Sequence, residues 1–318
     1  MVQNLGTGYA RSLGAHVEWH ASGGDPLKAG LSVIVLAFNE ARNLPDLFLS
    51  IRGLAATVYV VDSYSTDESR EIASQAGAVV VEHAFENYGV QRNWAQDNLD
   101  VNTEWVLHLD ADERLTPELV EEINGVVSRN DPRYDGYMLR KRSVFLGKWI
   151  RHGAHYPSYH LRLYRKSRGR CENRLYDQHF LVDGPVGRLK HDYIDIITAD
   201  LHSWSTRHLR WAGLEAREMV SASTTGQVNP RLAGNPIERR RWMRQRVYRN
   251  LPLFVRPAGY FLYRYVIRLG FLDGTEGLIF HFLQAFWYRF LVDAKIYEER
   301  LSNRPRSAGT KTHRKGSQ

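Results

Sequence analysis

The stretch Leu31-Ser-Val-Ile-Val-Leu-Ala37 decides the fold class, because it is a short run of apolar and β-branched residues without polar alternation. Such a run is typical of a strand that is buried on both faces of a sheet. Residues 43–54 follow with apolar side chains at helical spacing, and residues 58–61 form a second buried run. The first strand is therefore predicted to begin a series of alternating strands and helices.

The same alternation continues along the first half of the chain. Apolar runs at 78–81 and 105–109 predict two more strands, and residues 88–98 have helical spacing. Ser65 or Thr66 is the predicted cap of the second helix, and Thr116 is the predicted cap of a later helix, with Pro117 and Glu118 in its first turn. Repeated strand–helix units imply a parallel sheet with helices on both faces, and ligands bind such sheets beyond the carboxyl ends of the strands.

The composition is that of a globular protein, with 43% hydrophobic and 25% charged residues in a chain of 318. The one cysteine cannot form an internal disulfide or a thiolate zinc site, so a reducing compartment is expected. Residues 1–29 do not have the pattern of a signal peptide and are predicted to be a flexible lead-in.

The net charge of +8 is distributed unevenly. Residues 231–268 contain ten arginines and one acid, and the tail at 303–318 contains five basic residues and no acid. The rest of the chain is therefore mildly acidic. An acidic body with a basic C-terminal part is typical of a soluble domain held against an anionic surface, and less so of a uniform nucleic-acid binder.

The region 260–290 holds eleven aromatic residues with arginines between them. Its longest uncharged run, 277–288, has twelve residues, whereas a spanning helix needs about 20, so no transmembrane segment is predicted. Helices of this composition can lie in a membrane interface. Alternatively, the aromatics pack on the rest of the protein or on a second subunit.

Acidic residues directly follow two of the predicted strands. Asp62 follows Tyr59-Val-Val61, and Asp110 and Asp112 follow Val106-Leu-His-Leu109. Residues i and i+2 of an extended segment point the same way, so Asp110 and Asp112 can both face one divalent cation, or one can face the ribose of a nucleotide. Carboxylates and phosphate oxygens suit Mg²⁺ or Mn²⁺, although Asp-x-Asp-Glu can also be a solvated turn.

Four segments resemble, in order, the N-terminal half of family-2 glycosyltransferases. They are Leu31-Ser-Val-Ile-Val-Leu-Ala-Phe-Asn-Glu40, Val60-Val-Asp-Ser-Tyr-Ser-Thr-Asp67, Gln91-Arg-Asn93 and Leu107-His-Leu-Asp-Ala-Asp-Glu113. Looser similarity in Tyr156-Pro157, Arg162-Leu-Tyr-Arg165 and Phe271-Leu-Asp-Gly274 is to bacterial members that build lipopolysaccharide core, capsule or exopolysaccharide. The resemblance implies an α/β GT-A fold, with a Rossmann-like nucleotide-binding sheet, an acceptor-binding half and, here, an aromatic and basic helical extension.

Position by position, the resemblance implies a nucleotide-sugar donor site. Its donor-binding residues would be Ala37, Phe38 and Glu40 at the nucleoside, Asp62 at the base, Gln91 and Arg92 near the base or diphosphate, and Asp110 at the ribose or sugar. Asp112 would ligate the metal, Mg²⁺ or Mn²⁺. The structural alternatives are a first-turn helix acid for Glu40, a turn cap for Asp62 and a surface charge for Arg92.

Transfer with inversion also needs a base that takes the proton of the acceptor hydroxyl as this oxygen attacks the anomeric carbon. In related polysaccharide enzymes an acidic-His segment follows the acceptor-domain strands, and the matching stretch here is Cys171-Glu-Asn-Arg-Leu-Tyr-Asp-Gln-His179. Asp177 is the predicted catalytic base, and Glu172 is the alternative.

Together these inferences predict an inverting, metal-dependent hexosyltransferase that uses a UDP- or GDP-sugar and a cell-envelope glycan or lipid-linked acceptor. The expected location is the cytoplasm, peripheral on the inner face of the cell membrane, with an anionic membrane surface and a second copy as candidate partners and no nucleic acid. The predicted domains are a lead-in at 1–29, a GT-A domain at 30–230 (nucleotide-sugar half 30–130, acceptor half 131–230), an amphipathic helical region at 231–302 and a basic tail at 303–318.

Three rival functions make different demands on the sequence. A dinucleotide oxidoreductase needs a Gly-rich turn after the first strand, and Ala37-Phe-Asn-Glu-Ala-Arg42 has no glycine. A sugar nucleotidyltransferase shares the sheet and a metal-binding acid, but it needs a Gly-rich basic phosphate loop near that strand. A nucleic-acid-binding protein would use the arginines of 231–268, and its binding would depend strongly on salt.

Overall fold

The computed structural model describes residues 30–54, 56–174, 176–198, 200–220 and 228–302, and its centre is a nine-stranded mixed sheet. The strands are β1 (Leu31–Ala37), β2 (Ala56–Asp62), β3 (Val79–Glu82), β4 (Trp105–Asp110), β5 (Glu113–Leu115), β6 (Gly136–Phe145), β7 (Lys148–Trp149), β8 (Ser158–Arg165), β9 (Gly169–Cys171), β10 (Phe180–Val182) and β11 (Val186–Thr198). β9 and β10 form a separate antiparallel pair.

The main sheet has a parallel half and a mixed half. Its order is β3-β2-β1-β4-β8-β6-β11-β5, with β7 added to β6. The first four strands are parallel, as the strand–helix alternation predicts. β8 runs antiparallel to β4 and β6, while β11 is parallel to β6 and antiparallel to β5. Because Ala37 pairs with Asp62 and Leu36 with Asp110, the carboxyl ends of β1, β2 and β4 meet at one edge.

The helices flank this sheet and continue into a C-terminal helical region. They are α1 (Leu44–Ile51), α2 (Ser69–Gln75), α3 (Tyr88–Asn98), α4 (Pro117–Arg129), α5 (Leu201–Val220), α6 (Pro236–Trp242), α7 (Val255–Leu262), α8 (Gly274–His281) and α9 (Tyr288–Ser302). Short 3-10 or π-helical turns occupy Lys166–Arg168, Met243–Val247, Tyr248–Asn250, Tyr263–Ile267, Gly270–Asp273 and Phe282–Trp287.

Helices cover both faces of the parallel half, as predicted. Val33 and Val35 of β1 pack with Leu44 and Leu47 of α1, whereas Ile34 belongs to a second apolar cluster on the opposite face. This alternation follows from the two-residue period of a strand. Both faces of β1 are therefore buried, which explains why the strand has no polar alternation.

One of the two predicted helix caps is confirmed and the other is wrong. The Thr116 side chain accepts a hydrogen bond from the Leu119 N–H at 3.3 Å and caps α4. Neither Ser65 nor Thr66 caps α2, which begins later, at Ser69. The Ser65 hydroxyl instead donates to Asp62 and accepts from the Asn39 N–H, which joins the loop after β2 to the loop after β1.

The C-terminal helices pack on α5. Ala212 and Ala216 of α5 form a buried cluster with Tyr288, Val292 and Ile296 of α9. Residues 221–227 of the predicted acceptor half lie outside the described residues, and so do the lead-in at 1–29 and the tail at 303–318. Across the described ranges, no helix combines the length and the apolarity needed to cross a bilayer.

Candidate active site

The loops after β1 and β2 are tied together at the carboxyl edge of the sheet. The Asn39 N–H donates to the Ser65 hydroxyl at 2.8 Å, and the Thr66 N–H donates to the Asn39 side-chain carbonyl at 2.8 Å. Asn39 has a left-handed φ of 55°. This arrangement leaves Phe38 and Tyr64 projecting from adjacent strand ends with 57% and 56% of their surface exposed. Both rings are available to stack on a flat ligand such as a nucleobase.

Asp62 lies beneath these loops and is completely buried. Its carboxylate accepts hydrogen bonds from the Ser65 N–H, at 2.7 Å, and from the Ser65 hydroxyl. Since Ser65 in turn holds Asn39, Asp62 fixes the shape of both loops. Its contact with a base stays a prediction.

Gln91 and Arg92 are neighbours on α3 but face different partners. Gln91 is fully buried and contacts His83 twice, once through the imidazole Nδ1 at 2.7 Å and once through the backbone carbonyl at 3.1 Å. It thus holds α3 to the end of β3. Arg92 donates to Asp110 Oδ1 at 2.7 Å, with its guanidinium 5.3 Å from the ring centre of Phe180.

Asp110 is held between two arginines. Arg92 reaches one carboxylate oxygen, and Arg162 from β8 reaches the other at 2.8 Å. Burial alone would raise the pKa of Asp110, but the two guanidiniums outweigh burial and hold the pKa well below its usual range. Arg162 also donates to Glu113, which accepts from the Asp110 N–H at 2.9 Å. Burial raises the pKa of Glu113 to about 7, with Arg162 opposing the shift and Asp110 adding to it.

Asp112 has the opposite environment, because it faces carboxylates. Burial, followed by repulsion from Asp195 and Asp110, raises its pKa well above the ordinary value. We define the acidic cluster as the five carboxylates that act on one another here: Glu40, Asp110, Asp112, Glu113 and Asp195. Burial also raises the pKa of Glu40. The pairing of β5 with β11 brings in Asp195, which lies opposite Glu113.

Arg207 of α5 faces the acidic cluster from the helical side. Its Nη1 lies 3.9 Å from Asp112 Oδ2, and its Nη2 donates to the Ile197 carbonyl at 2.6 Å. The same guanidinium acts electrostatically on Glu40 and Tyr88. Arg207 is therefore a cation near the acidic cluster on the helical side, in addition to the two arginines that bind Asp110.

The surroundings of Asp112 fit a divalent cation, because a cation would offset the repulsion that four other carboxylates exert on it. Among the residues that the structure describes, no group of three or more metal-ligating side chains converges on a point. Mg²⁺ is commonly held by one or two carboxylates together with phosphate oxygens and water. Asp112 can provide the protein's part of a site of that kind.

The two candidate bases have different access to a substrate. Glu172 is completely buried and forms two hydrogen bonds with Arg241, at 3.1 and 3.0 Å. Asp177 has a left-handed φ of 57° and a side chain that is 35% exposed, with Oδ2 bonded to Arg244 at 2.6 Å. Burial would raise the pKa of Asp177, but His179 and the nearby arginines hold it well below the usual range. Asp177 is thus the accessible carboxylate, and it stays ionised.

Sequence reasoning did not identify Tyr64, Asp195 or Arg207 as members of the site. Tyr64 could have been found, since it follows a strand end as Phe38 does. Asp195 and Arg207 lie far along the chain from Asp112, and only the β5–β11 pairing and the packing of α5 bring them near it. Arg165 belongs to the same segment of family resemblance as Arg162. It pairs with Trp105 at the amino end of β4 and so lies away from Asp110.

A family model covers the part of the chain that holds most of this site. Residues 32–185, just under half of the chain, match the family model described as glycosyl transferase family 2. The match and the mixed sheet confirm the α/β GT-A fold class. Asp195, Arg207 and the helices that follow lie beyond the matched range.

The similar curated proteins are uncharacterized glycosyltransferases. One from Rickettsia felis is 37% identical over 111 residues, which is 35% of this chain and 38% of that protein. One from Rickettsia prowazekii is 33% identical over 118 residues, which is 37% of this chain and 40% of that protein. The chain thus spans about two fifths of the length of these relatives.

Two solved structures are similar over most of the chain at low identity. The mannosyltransferase PcManGT from Pyrobaculum calidifontis, in complex with GDP-Man and Mn²⁺, has a TM-score of 0.49 and 15% identity and covers 85% of this chain and 87% of its own. S. aureus TarS 1-349, in complex with UDP-GlcNAc, has a TM-score of 0.41 and 14% identity and covers 86% of this chain and 92% of its own.

Proposed function

We propose that the protein is an inverting, divalent-metal-dependent glycosyltransferase that moves a hexosyl unit from a UDP- or GDP-sugar to a cell-envelope glycan or a lipid-linked acceptor. The observation that carries this proposal is the acidic cluster around Asp112 at the carboxyl edge of the sheet, because four of its five carboxylates lie within the residues that match the glycosyl transferase family 2 model. Ligands of parallel sheets bind at this edge.

The donor nucleoside would lie over the loops after β1 and β2. In this proposal Ala37, Phe38 and Glu40 contact it, and Asp62 hydrogen-bonds the base from below. The exposed rings of Phe38 and Tyr64 support this placement, because an aromatic face stacks on a base without regard to its identity. Uracil and guanine therefore both remain candidates.

The diphosphate and the sugar would lie between the nucleoside and β8. Asp112 would hold Mg²⁺ or Mn²⁺ together with diphosphate oxygens, and the metal supplies Lewis-acid stabilisation of the nucleoside diphosphate leaving group. Asp110, kept ionised by Arg92 and Arg162, would accept hydrogen bonds from the ribose or sugar hydroxyls. Arg92 faces the same space. Gln91 would act through its support of the β3 end.

Asp177 would act as the base. It accepts the proton of the acceptor hydroxyl while that oxygen bonds to the anomeric carbon and the bond from this carbon to the diphosphate oxygen breaks. Exposure favours Asp177 over Glu172, which is buried and bonded to Arg241. Its left-handed backbone also supports a functional role, since such strain concentrates at active sites.

The acceptor would approach along the mixed half of the sheet. Lys141 donates to Asp195 at 2.6 Å, and Arg240 donates to Ser158 at 2.9 Å. Because Ser158 pairs with Lys141 across β6 and β8, Arg240 lies near Lys141, which in turn contacts Asp195. Cations in this position suit an acceptor that carries a phosphate or an acidic sugar. An enzyme that uses a lipid-linked acceptor of this kind would act at the cytoplasmic face of the cell membrane.

The rival functions have less support. The family match over residues 32–185 favours sugar transfer over nucleotidyl transfer. Several arginines of 231–268 have internal partners: Arg241 pairs with Glu172, Arg244 with Asp177 and Glu215, and Arg256 with Asp293. These guanidiniums are already neutralised within the fold, so the region is less basic toward a nucleic acid than its sequence indicates.

The test is donor binding measured by thermal shift, with UDP- and GDP-sugars in the presence and absence of Mn²⁺ or Mg²⁺. A donor that binds only the folded state raises the melting temperature. Wild type should be stabilised most with donor and metal together. Asp112→Asn should lose the metal-dependent part of the shift and all turnover. The control Asp97→Asn, which changes an exposed carboxylate paired with Arg170, should lose neither. Turnover by Asp112→Asn would refute the metal assignment, and wild type that binds no nucleotide sugar would refute the function.

A further inference from the structure

A short segment of the helical region exposes apolar side chains in a row. We define the apolar turn as residues 262–272, which join α7 to α8. Its exposed apolar members are Leu262, Tyr263, Val266, Ile267, Leu269, Phe271 and Leu272. Ile267 exposes 70% of its surface and Leu272 exposes 54%. The turn contains no acidic residue. A contiguous apolar surface of this kind marks an interaction site.

The base of the apolar turn is fixed to the loop between β7 and β8. Asp273, which is buried, accepts from the N–H groups of Arg151 and His152 at 3.0 and 2.8 Å, and His152 Nδ1 lies 2.6 Å from its other oxygen. Arg264 donates to the Gly153 carbonyl at 2.7 Å, and the Gly153 N–H donates to the Arg268 carbonyl. The exposed apolar side chains are therefore presented by a braced turn.

Cations and an indole lie on one side of the apolar turn, next to its base. Arg268 is exposed within it, and the exposed Arg151 is bonded to its base through Asp273. The Arg151 guanidinium lies 5.1 Å from the ring of Trp149, and Arg142 lies 4.4 Å from the same ring. We call Trp149, Arg142, Arg151 and Arg268 the rim. Two carboxylates lie next to the rim: Asp192, which pairs with both Arg140 and Arg142, and the buried Asp273. Arg140 and the three rim arginines outnumber them, which leaves a net positive charge there.

We propose that the apolar turn inserts into an anionic lipid bilayer, with the rim at the level of the lipid phosphates. An apolar tip with arginines and a tryptophan beside its base matches the layers of a bilayer surface, in which acyl chains lie beneath anionic headgroups. Charge complementarity selects this partner over a second copy, because two apolar turns facing each other would bring two positive rims together.

This inference rests on the proposed function in one respect, the orientation of the site. The loop that bonds to Asp273 leads into β8, and His155 in that loop lies 3.1 Å from Arg264. β8 contains Ser158, which accepts a hydrogen bond from Arg240 and lies on the proposed path of the acceptor. A bilayer bound at the apolar turn would therefore lie on the side from which a lipid-linked acceptor must come.

The experiment is vesicle co-sedimentation of the full chain. The vesicles are mixed phosphatidylglycerol–phosphatidylethanolamine or pure phosphatidylcholine, at low and high NaCl. The turn variant is Ile267→Gln with Leu272→Gln, and the rim variant is Arg151→Gln with Arg268→Gln. The matched control, Leu49→Gln with Val79→Gln, also replaces two exposed aliphatic side chains. All variants keep the basic tail, so its charge contributes equally. Unchanged melting temperatures verify that each variant folds.

Wild type should bind the anionic vesicles far more tightly than phosphatidylcholine, and salt should weaken this binding. The turn variant should bind about 100-fold more weakly, about tenfold for each lost aliphatic side chain. The rim variant should lose about fivefold for each arginine, and only on anionic vesicles. The control should bind as wild type does.

Three results would overturn the proposal. Wild type could stay off anionic vesicles, the turn variant could bind as well as the control, or ultracentrifugation could show a dimer that the turn variant dissociates without any vesicle binding. Vesicle binding by a protein that binds no nucleotide sugar would support this inference and refute the proposed function.

Discussion

Replacing Gly153 by alanine should destabilise the protein much more than the same change at Gly147. Gly153 has a left-handed φ of 68°, and an alanine Cβ there would lie 2.2 Å from His281 Cε1 and 2.5 Å from Nε2. His281 cannot retreat, because it is fully buried and a Cβ on Gly270 would lie 2.6 Å from its Cδ2. The imidazole is thus enclosed between two glycines.

Gly147 supplies the matched control. Its φ of 80° carries the same left-handed cost, but a Cβ would meet no atom within 4 Å. Alanine at either position should lose about 1–2 kcal/mol for the left-handed conformation. At Gly153 the overlap with His281 should add about 1–3 kcal/mol, the usual range for forcing extra volume into a packed interior. The free energy of unfolding from urea titrations measures both losses.

A double variant separates overlap from backbone strain. Adding His281→Ala to Gly153→Ala removes the side chain that the new methyl meets, so the two changes together should cost about 1–3 kcal/mol less than the sum of the single losses. Equal losses for Gly147→Ala and Gly153→Ala, or strictly additive effects in the double variant, would refute this account of how the turn is braced.

Three further predictions concern the base, a buried ion pair and a buried histidine. Asp177→Asn should keep metal-dependent donor binding in thermal shift and lose transfer to the acceptor, and surviving transfer would place the base elsewhere. Glu172→Gln should cost about 3–5 kcal/mol in urea unfolding because it leaves the buried guanidinium of Arg241 without its counter-charge; a loss below about 1 kcal/mol would contradict this. Burial lowers the pKa of His281 to about 4. The unfolded chain protonates this histidine below about pH 6.5 and the folded chain does so only near pH 4, so stability should fall by about 2 kcal/mol between pH 7 and 5. Urea titrations of His281→Leu should show a smaller fall, and an equal fall would refute the assignment.

The parallel half of the fold was predictable because its signals are local. Each of the first four strands is a compact apolar run, and the intervening helices have their own periodicity. The mixed half has no such signal. The 13-residue β11 contains Lys190, His191 and Asp192 and pairs with both β6 and the three-residue β5. Polar residues within a strand do not indicate which strand it pairs with. The strand order of the mixed half therefore becomes known only from the structure.

The candidate site likewise contains residues that the sequence identified and residues that only the fold brings to it. Asp110 and Asp112 were found because they are two residues apart after one strand. Asp195 and Arg207 reach the same place from β11 and α5, and their signal depends on strand register and helix packing. The wrong cap at Ser65 has a related cause. A serine before an acidic helix start has the local pattern of a cap, but here the Ser65 hydroxyl donates to the nearby Asp62 and accepts from the Asn39 N–H of the loop after β1.

The neighbours of Asp110 and Asp112 explain why two carboxylates in one motif should have different tasks. Asp110 already shares its charge with Arg92 and Arg162, so a further cation would add less stabilisation there and would be repelled by both guanidiniums. Asp112 faces mainly carboxylates, and a cation beside it would relieve repulsion that now favours its protonated form. The arginine pair therefore favours the ribose or sugar as the partner of Asp110, and it leaves Asp112 as the residue that gains most from a divalent ion.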